Sequence, residues 1–197
     1  KQTERPYTKA DLEFAGDPNK PSIAMSRALE AHDNVHGLLG ELAKNSATPW
    51  VTTLARALLP MKLDSRIEHV LELPGDKKPG VQGAANLTKR MVSIKLGGES
   101  EHVVLHEIIH VATAKMVELA KSITAPRSQR QVALKSAYTR LEEIRNNLLA
   151  QGYKPAGETY GLKNAHEFVA ELNTSRAFQD LLRSNGDGPT STWQKVL

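Results

Sequence analysis

Apolar residues recur at helical spacing from Ser22 to about Asn45, where Ile23, Leu29, Leu38, Leu39 and Leu42 mark one face. Gly37 and Gly40 are the points at which such a helix would divide. Thr48 as N-cap with Pro49 behind it predicts a second helix, carrying Trp50, Leu54 and Leu58 and stopping at Pro60. The first twenty or so residues are polar, are broken by Pro6, Gly16, Pro18 and Pro21, and read as an irregular arm. Residues 1–65 therefore read as an arm and a helical extension without catalytic features.

After Pro60 the period changes. Ile67 to Leu73 alternates as a strand does, Pro74 to Gly80 has the composition of a loop, and Met91 to Leu96 alternates again with Val92, Ile94 and Leu96 on one face. Gly97-Gly98 ends that strand, Ser100 is placed to cap a helix, and Glu101 suits its first turn. A long helix is predicted from Ser128, with Gln131 as capping-box partner and Val132, Leu134, Leu141, Ile144 and Leu148 as its apolar positions, ending near Gly152. A last one is entered near Asn164, with Phe168, Val169 and Leu172 inward and Glu167 and Glu171 one turn apart on a common face. The pattern is that of an α+β fold, mainly helical, with a small sheet beside the helix that starts after Ser100.

That helix carries His106-Glu107-Ile108-Ile109-His110. Residues four apart lie one above the other on a helix, so both imidazoles can point at one zinc ion, at about 2.0–2.1 Å per nitrogen. Glu107 sits about a third of a turn round, where it reaches a water rather than the ion and can act as general base. A pentad this short also arises by chance. Its flanks weigh against that: Val103-Val104-Leu105 before it and Val111-Ala112 after it give a helix apolar on nearly every other side, and unpartnered His and Glu there would be costly.

Composition narrows the chemistry. The 197 residues contain no cysteine, so a metal must be held by His and carboxylate, without disulfides. The 40% hydrophobic and 24% charged content is that of a soluble globular protein, and the net charge of +4 permits an acidic partner without demanding one. No apolar run approaches a membrane span, and nothing near Lys1 has the order of a signal peptide. A start without methionine is expected of a processed product or a piece of a longer chain. The Arg and Lys residues of the helix from Ser128 read as a wet face rather than a nucleic-acid surface. His32 and His36 repeat the four-residue spacing, but they lack the glutamate and the apolar flanks and read as solvated. His69 and His102 read as lone histidines.

A third ligand must come from downstream. The metzincin continuation would need Gly and His where Thr113 and Met116 stand, and near the thermolysin offset the chain has Ser128, Gln129 and Arg130. What remains is the stretch from Tyr160 to Leu172, in which either Glu167 or Glu171 can be the ligand and the other an acceptor behind it. His166, next to Glu167, is a possible competitor for the metal.

The pentad together with a downstream Tyr-Gly…Glu-Phe-x-Ala-Glu segment, here Tyr160-Gly161 and Glu167-Phe168-Val169-Ala170-Glu171, resembles the catalytic domain of anthrax lethal factor and its relatives, a branch of the glutamate-zincin metallopeptidases. The likeness covers roughly Met91 to Leu182. It implies a zincin-like catalytic domain over 66–197, Zn2+ held by His106, His110 and Glu167, Glu107 as general base, Tyr160 as stabiliser of the oxyanion or proton donor to the leaving amine, and Glu171 supporting the site from behind. Relatives include secreted toxins and domains of bacterial and bacteriophage proteins. The function expected is zinc-dependent hydrolysis of a peptide bond in a protein or peptide substrate, including the chain's own precursor. The alternative is a catalytically silent module of the same fold that binds a protein or nucleic acid. The strand before the active-site helix, with Val92, Ser93 and Ile94, is the edge on which an extended substrate is expected to lie.

Overall fold

The structure, a computed structural model, describes residues 23–73 and 82–185. The arm before Ser22 and the loop from Pro74 to Gly80 lie outside the described residues. The fold is α+β and mostly helical with one three-stranded sheet, as the pattern predicts. The chain divides into two compact units, residues 1–112 and 113–197.

In the first unit, α1 (Ile23–Ala31) and α2 (Val35–Asn45) are separate helices, and the break falls at His32–Asn34 rather than at a glycine. The cause is a cap and a sheet contact. Asn34 accepts a hydrogen bond from the Gly37 amide at 2.8 Å, and its neighbours bond to the first strand and the residue before it, through Ile67 N to Asp33 O at 2.8 Å and Val35 N to Ser65 O at 2.9 Å. Gly37 lies inside α2, where a Cβ would come 2.7 Å from His32 Nδ1, so the glycine admits that ring rather than breaking the helix. Helix α3 (Pro49–Leu58) starts with proline in its first turn as predicted and runs into a 3-10 turn, Leu59–Met61. Met25, Leu29, Val35, Leu38, Leu39, Leu42 and Val51 are buried, which gives these helices their apolar faces.

The sheet comprises β1 (Arg66–Val70), β2 (Gly83–Asn86) and β3 (Met91–Lys95), ordered β1-β3-β2, with β1 parallel and β2 antiparallel to β3. Strand β2 has no counterpart in the apolar pattern. Strand β3 is central, so Val92, Ser93 and Ile94 are paired on both sides, and the substrate edge expected there is not an edge. All three residues are buried, Ser93 donating to Glu68 Oε1 at 2.6 Å, whereas Leu96 is 53% exposed. Gly97, at a φ of 84°, makes the turn out of β3 that a side chain would resist.

Helix α4 (Glu101–Ser122) begins in the first unit and continues into the second. Ser100 caps it by accepting from the Val103 amide at 3.1 Å, as predicted. Glu101 in its first turn is buried and accepts from Thr48 Oγ1 at 3.0 Å, so the hydroxyl that the sequence assigns to capping α3 serves α4. Burial, partly offset by that hydrogen bond, raises the Glu101 pKa above the usual carboxyl range.

In the second unit, α5 (Gln129–Ala150) is capped by Ser128, which accepts from the Gln131 amide at 3.2 Å. A 3-10 stretch, Gly157–Lys163, leads to α6 (Ala165–Thr174) and α7 (Arg176–Ser184). Leu141, Ile144 and Leu148 of α5 pack in one apolar cluster with Leu162, Phe168, Leu172, Phe178 and Leu182. Phe168 and Phe178 meet edge to face with ring centres 5.1 Å apart. Gly161 lies under that pair: a Cβ there would be 2.6 Å from Phe178 Cζ. No helix among the described residues is long and apolar enough to cross a membrane.

Candidate metal centre

The pentad lies on α4 as the spacing predicts. His106 is buried, Glu107 and His110 are half-buried, and the Nε2 atoms of the two histidines are 3.0 Å apart with their rings edge to face. Two imidazole nitrogens sharing one zinc ion would be separated by roughly 2.9–3.4 Å, depending on the angle at the metal. The pair thus fits a shared ion. The same distance fits a hydrogen bond between the rings, with donor and acceptor set by the tautomers.

A third histidine belongs to this row. His102, one turn before His106, places its ring 5.6 Å from that of His106, centre to centre. Its signal was present as the same four-residue spacing, and reading His102 as a lone residue missed it.

Glu107 occupies space left by a glycine. A Cβ on Gly83 of β2 would fall 2.8 Å from Glu107 Cγ, 3.0 Å from Val103 Cγ1 and 3.3 Å from Glu107 Oε1. The edge strand therefore passes directly over the Glu107 side chain, and a side chain at Gly83 would displace it.

The downstream segment builds its own arrangement. Asn164 caps α6 by accepting from the Glu167 amide at 3.0 Å, which fixes the backbone from which the Glu167 carboxylate projects. Tyr160 donates to Glu167 Oε1 at 3.2 Å. Lys163 donates to the Tyr160 oxygen at 2.6 Å and to Glu167 Oε1 at 3.3 Å, with its ammonium 4.7 Å from the centre of the Tyr160 ring. Its hydrogen bond to Tyr160, with the negative charge of Glu167 adding, holds the Lys163 ammonium above the usual lysine range. Nothing in the motif singled out Lys163, whose place follows from helical spacing to both neighbours. Glu171, one turn beyond Glu167, is buried and packs against Gly161.

His166 is engaged elsewhere: its Nε2 is 2.7 Å from Glu118 Oε1 on α4, and that hydrogen bond holds the Glu118 carboxyl below its usual range. On α4, His106 and His110 offer two imidazole nitrogens to one ion, and on α6 Glu167 and Glu171 offer carboxylates, donor types compatible with a divalent metal. His32 faces Glu41 at 3.9 Å and His69 faces Glu99 at 3.8 Å, contacts of the kind expected for solvated histidines. In comparison with known proteins, no family model, no curated protein and no solved structure matches the chain.

Proposed function

We propose that the protein is a zinc-dependent endopeptidase of the glutamate-zincin type, similar in its site to the lethal factor family, with His106, His110 and Glu167 as the zinc ligands. The observation that carries the reading is the imidazole pair of His106 and His110, 3.0 Å apart on one helix with Glu107 beside it. A hydrolytic metal needs one coordination position open to substrate, which favours half-buried Glu167 over buried Glu171 as the third ligand. Glu171 then supports the site from behind.

Zinc held by these residues supplies Lewis acidity, which lowers the pKa of a water and polarises a carbonyl. Glu107 accepts the proton of the attacking water and returns it to the leaving nitrogen. Tyr160 donates to the carbonyl oxygen as negative charge develops there. An extended substrate lies along β2, the strand that borders Glu107 at Gly83, in place of the β3 edge expected from the sequence.

The test is metal analysis of the wild type, Glu167→Ala and Glu171→Ala, with cleavage of a peptide library by the wild type and Glu107→Gln. The expected outcome is one zinc per wild-type chain, loss of zinc in Glu167→Ala, retention in Glu171→Ala, and zinc without cleavage in Glu107→Gln. Full zinc in Glu167→Ala would remove that residue from the ligand set, and cleavage by Glu107→Gln would remove the base. Stoichiometric zinc with no cleavage of any peptide would turn the assignment to a binding module.

A further inference from the structure

We propose that Lys163 is a positioning residue with two roles: its ammonium competes with a metal for the Glu167 carboxylate, and it fixes the Tyr160 phenol in donating orientation. The inference rests on the reading of Glu167 as a zinc ligand and Tyr160 as the electrophilic partner.

Lys163 closes the 3-10 stretch, three residues after Tyr160 and four before Glu167, so a single side chain reaches both. One carboxylate oxygen, Glu167 Oε1, accepts from Lys163 at 3.3 Å and from Tyr160 at 3.2 Å. That crowding of donors is what a carboxylate gathers when its negative charge needs a counter-ion. A metal ion drawing on the same carboxylate would displace these weaker partners. The Lys163 side chain is 46% exposed, and an ion pair that open to solvent is worth less than about a factor of ten in any equilibrium, so it slows or weakens metal entry without preventing it.

What survives that displacement is the 2.6 Å contact between Lys163 and the phenol oxygen. An ammonium has three donors and no acceptor. Bound to it, the Tyr160 oxygen can only accept on that side, and its own proton must point elsewhere. With a metal on Glu167, that proton would be directed to a substrate oxygen. The lysine therefore orients the phenol by being unable to receive its proton.

The experiment measures zinc affinity by competition with a chromophoric chelator, and kcat and KM on a cleaved library peptide, for the wild type, Lys163→Met and Lys163→Arg. Lys163→Met should bind zinc roughly two- to fivefold more tightly, the fold-change of one exposed ion pair. Its kcat should fall roughly tenfold with KM little changed. Lys163→Arg, which keeps the charge and the donors, should return the affinity to the wild-type value and recover part of kcat. Tyr160→Phe should cost less in the Lys163→Met background than alone, because the two act as a unit. The proposal is overturned if Lys163→Met binds zinc no more tightly, if its kcat is unchanged, or if the two losses multiply independently. A wild type that binds no zinc, or a Glu167→Ala variant that keeps it, overturns the metal reading and this proposal with it. A zinc-loaded, active wild type with indifferent Lys163 variants overturns this proposal alone.

Discussion

Replacing Gly83 by alanine tests the proposed base apart from the proposed metal ligands by geometry alone. The new Cβ falls 2.8 Å from Glu107 Cγ, short of an ordinary carbon–carbon contact of about 3.5 Å by roughly 0.7 Å. Val103 Cγ1 at 3.0 Å blocks the other side, so the methyl cannot swing away and Glu107 must give. A displacement approaching 1 Å at a reacting group costs on the order of a hundredfold, so kcat should fall roughly ten- to a hundredfold. Overpacking costs about 1–3 kcal/mol, and relief of the entropy cost of a strand glycine offsets about 0.5–1 kcal/mol, so the variant should remain folded. The assay is steady-state kinetics on zinc-saturated wild type, Gly83→Ala and Glu107→Gln, with metal content and thermal unfolding recorded on the same samples. The loss should appear in kcat, with zinc near one per chain and Glu107→Gln as the floor. A kcat within twofold of the wild type would refute the placement of Glu107 as base under β2. Loss of zinc would show instead that the methyl disturbs the histidines.

Two further outcomes are expected. Asn164→Ala removes the cap that accepts from the Glu167 amide, which should cost about 1 kcal/mol in denaturant unfolding and weaken zinc binding through the misplaced carboxylate; unchanged zinc affinity with lowered stability would make the cap purely structural. Glu101 has a folded pKa raised above its unfolded value, so its contribution to stability is present below the unfolded pKa and is lost as pH rises through the folded one. Glu101→Gln, which keeps an acceptor for Thr48, should accordingly be more stable than the wild type at neutral pH, with the difference closing as the pH falls below the carboxyl range; an equal gap at all pH values in chemical unfolding would contradict this.

The parts of the fold that obey local rules were legible in the chain. Ser100, Ser128 and Asn164 each cap the helix expected of them, because a cap is decided within three or four residues. The break between α1 and α2 was misplaced because the glycines outweighed Asn34, although its capping relation to Gly37 is equally local. Strand β2 was missed because Gly83-Ala84-Ala85-Asn86 has little β-propensity and no alternation, and is held by pairing to β3. That same pairing made β3 central, and strand order is a long-range property that alternation does not encode. Thr48 turning to Glu101 and His166 turning to Glu118 likewise depend on partners 53 and 48 residues away. Within the candidate site, the pentad was read from helix pitch, whereas the choice of Glu167 over Glu171 came from the resemblance.

The seat of Phe178 against Gly161 bears on how short a working chain can be. A fragment ending at Thr174 would retain His106, Glu107, His110, Tyr160, Lys163, Glu167 and Glu171, the groups to which a role is proposed. It would lose the ring that fills the missing side chain at Gly161, the residue directly after Tyr160, and with it the edge-to-face partner of Phe168, the residue directly after Glu167. Helix α7 carries none of these groups, yet its Phe178 backs the two residues that adjoin them.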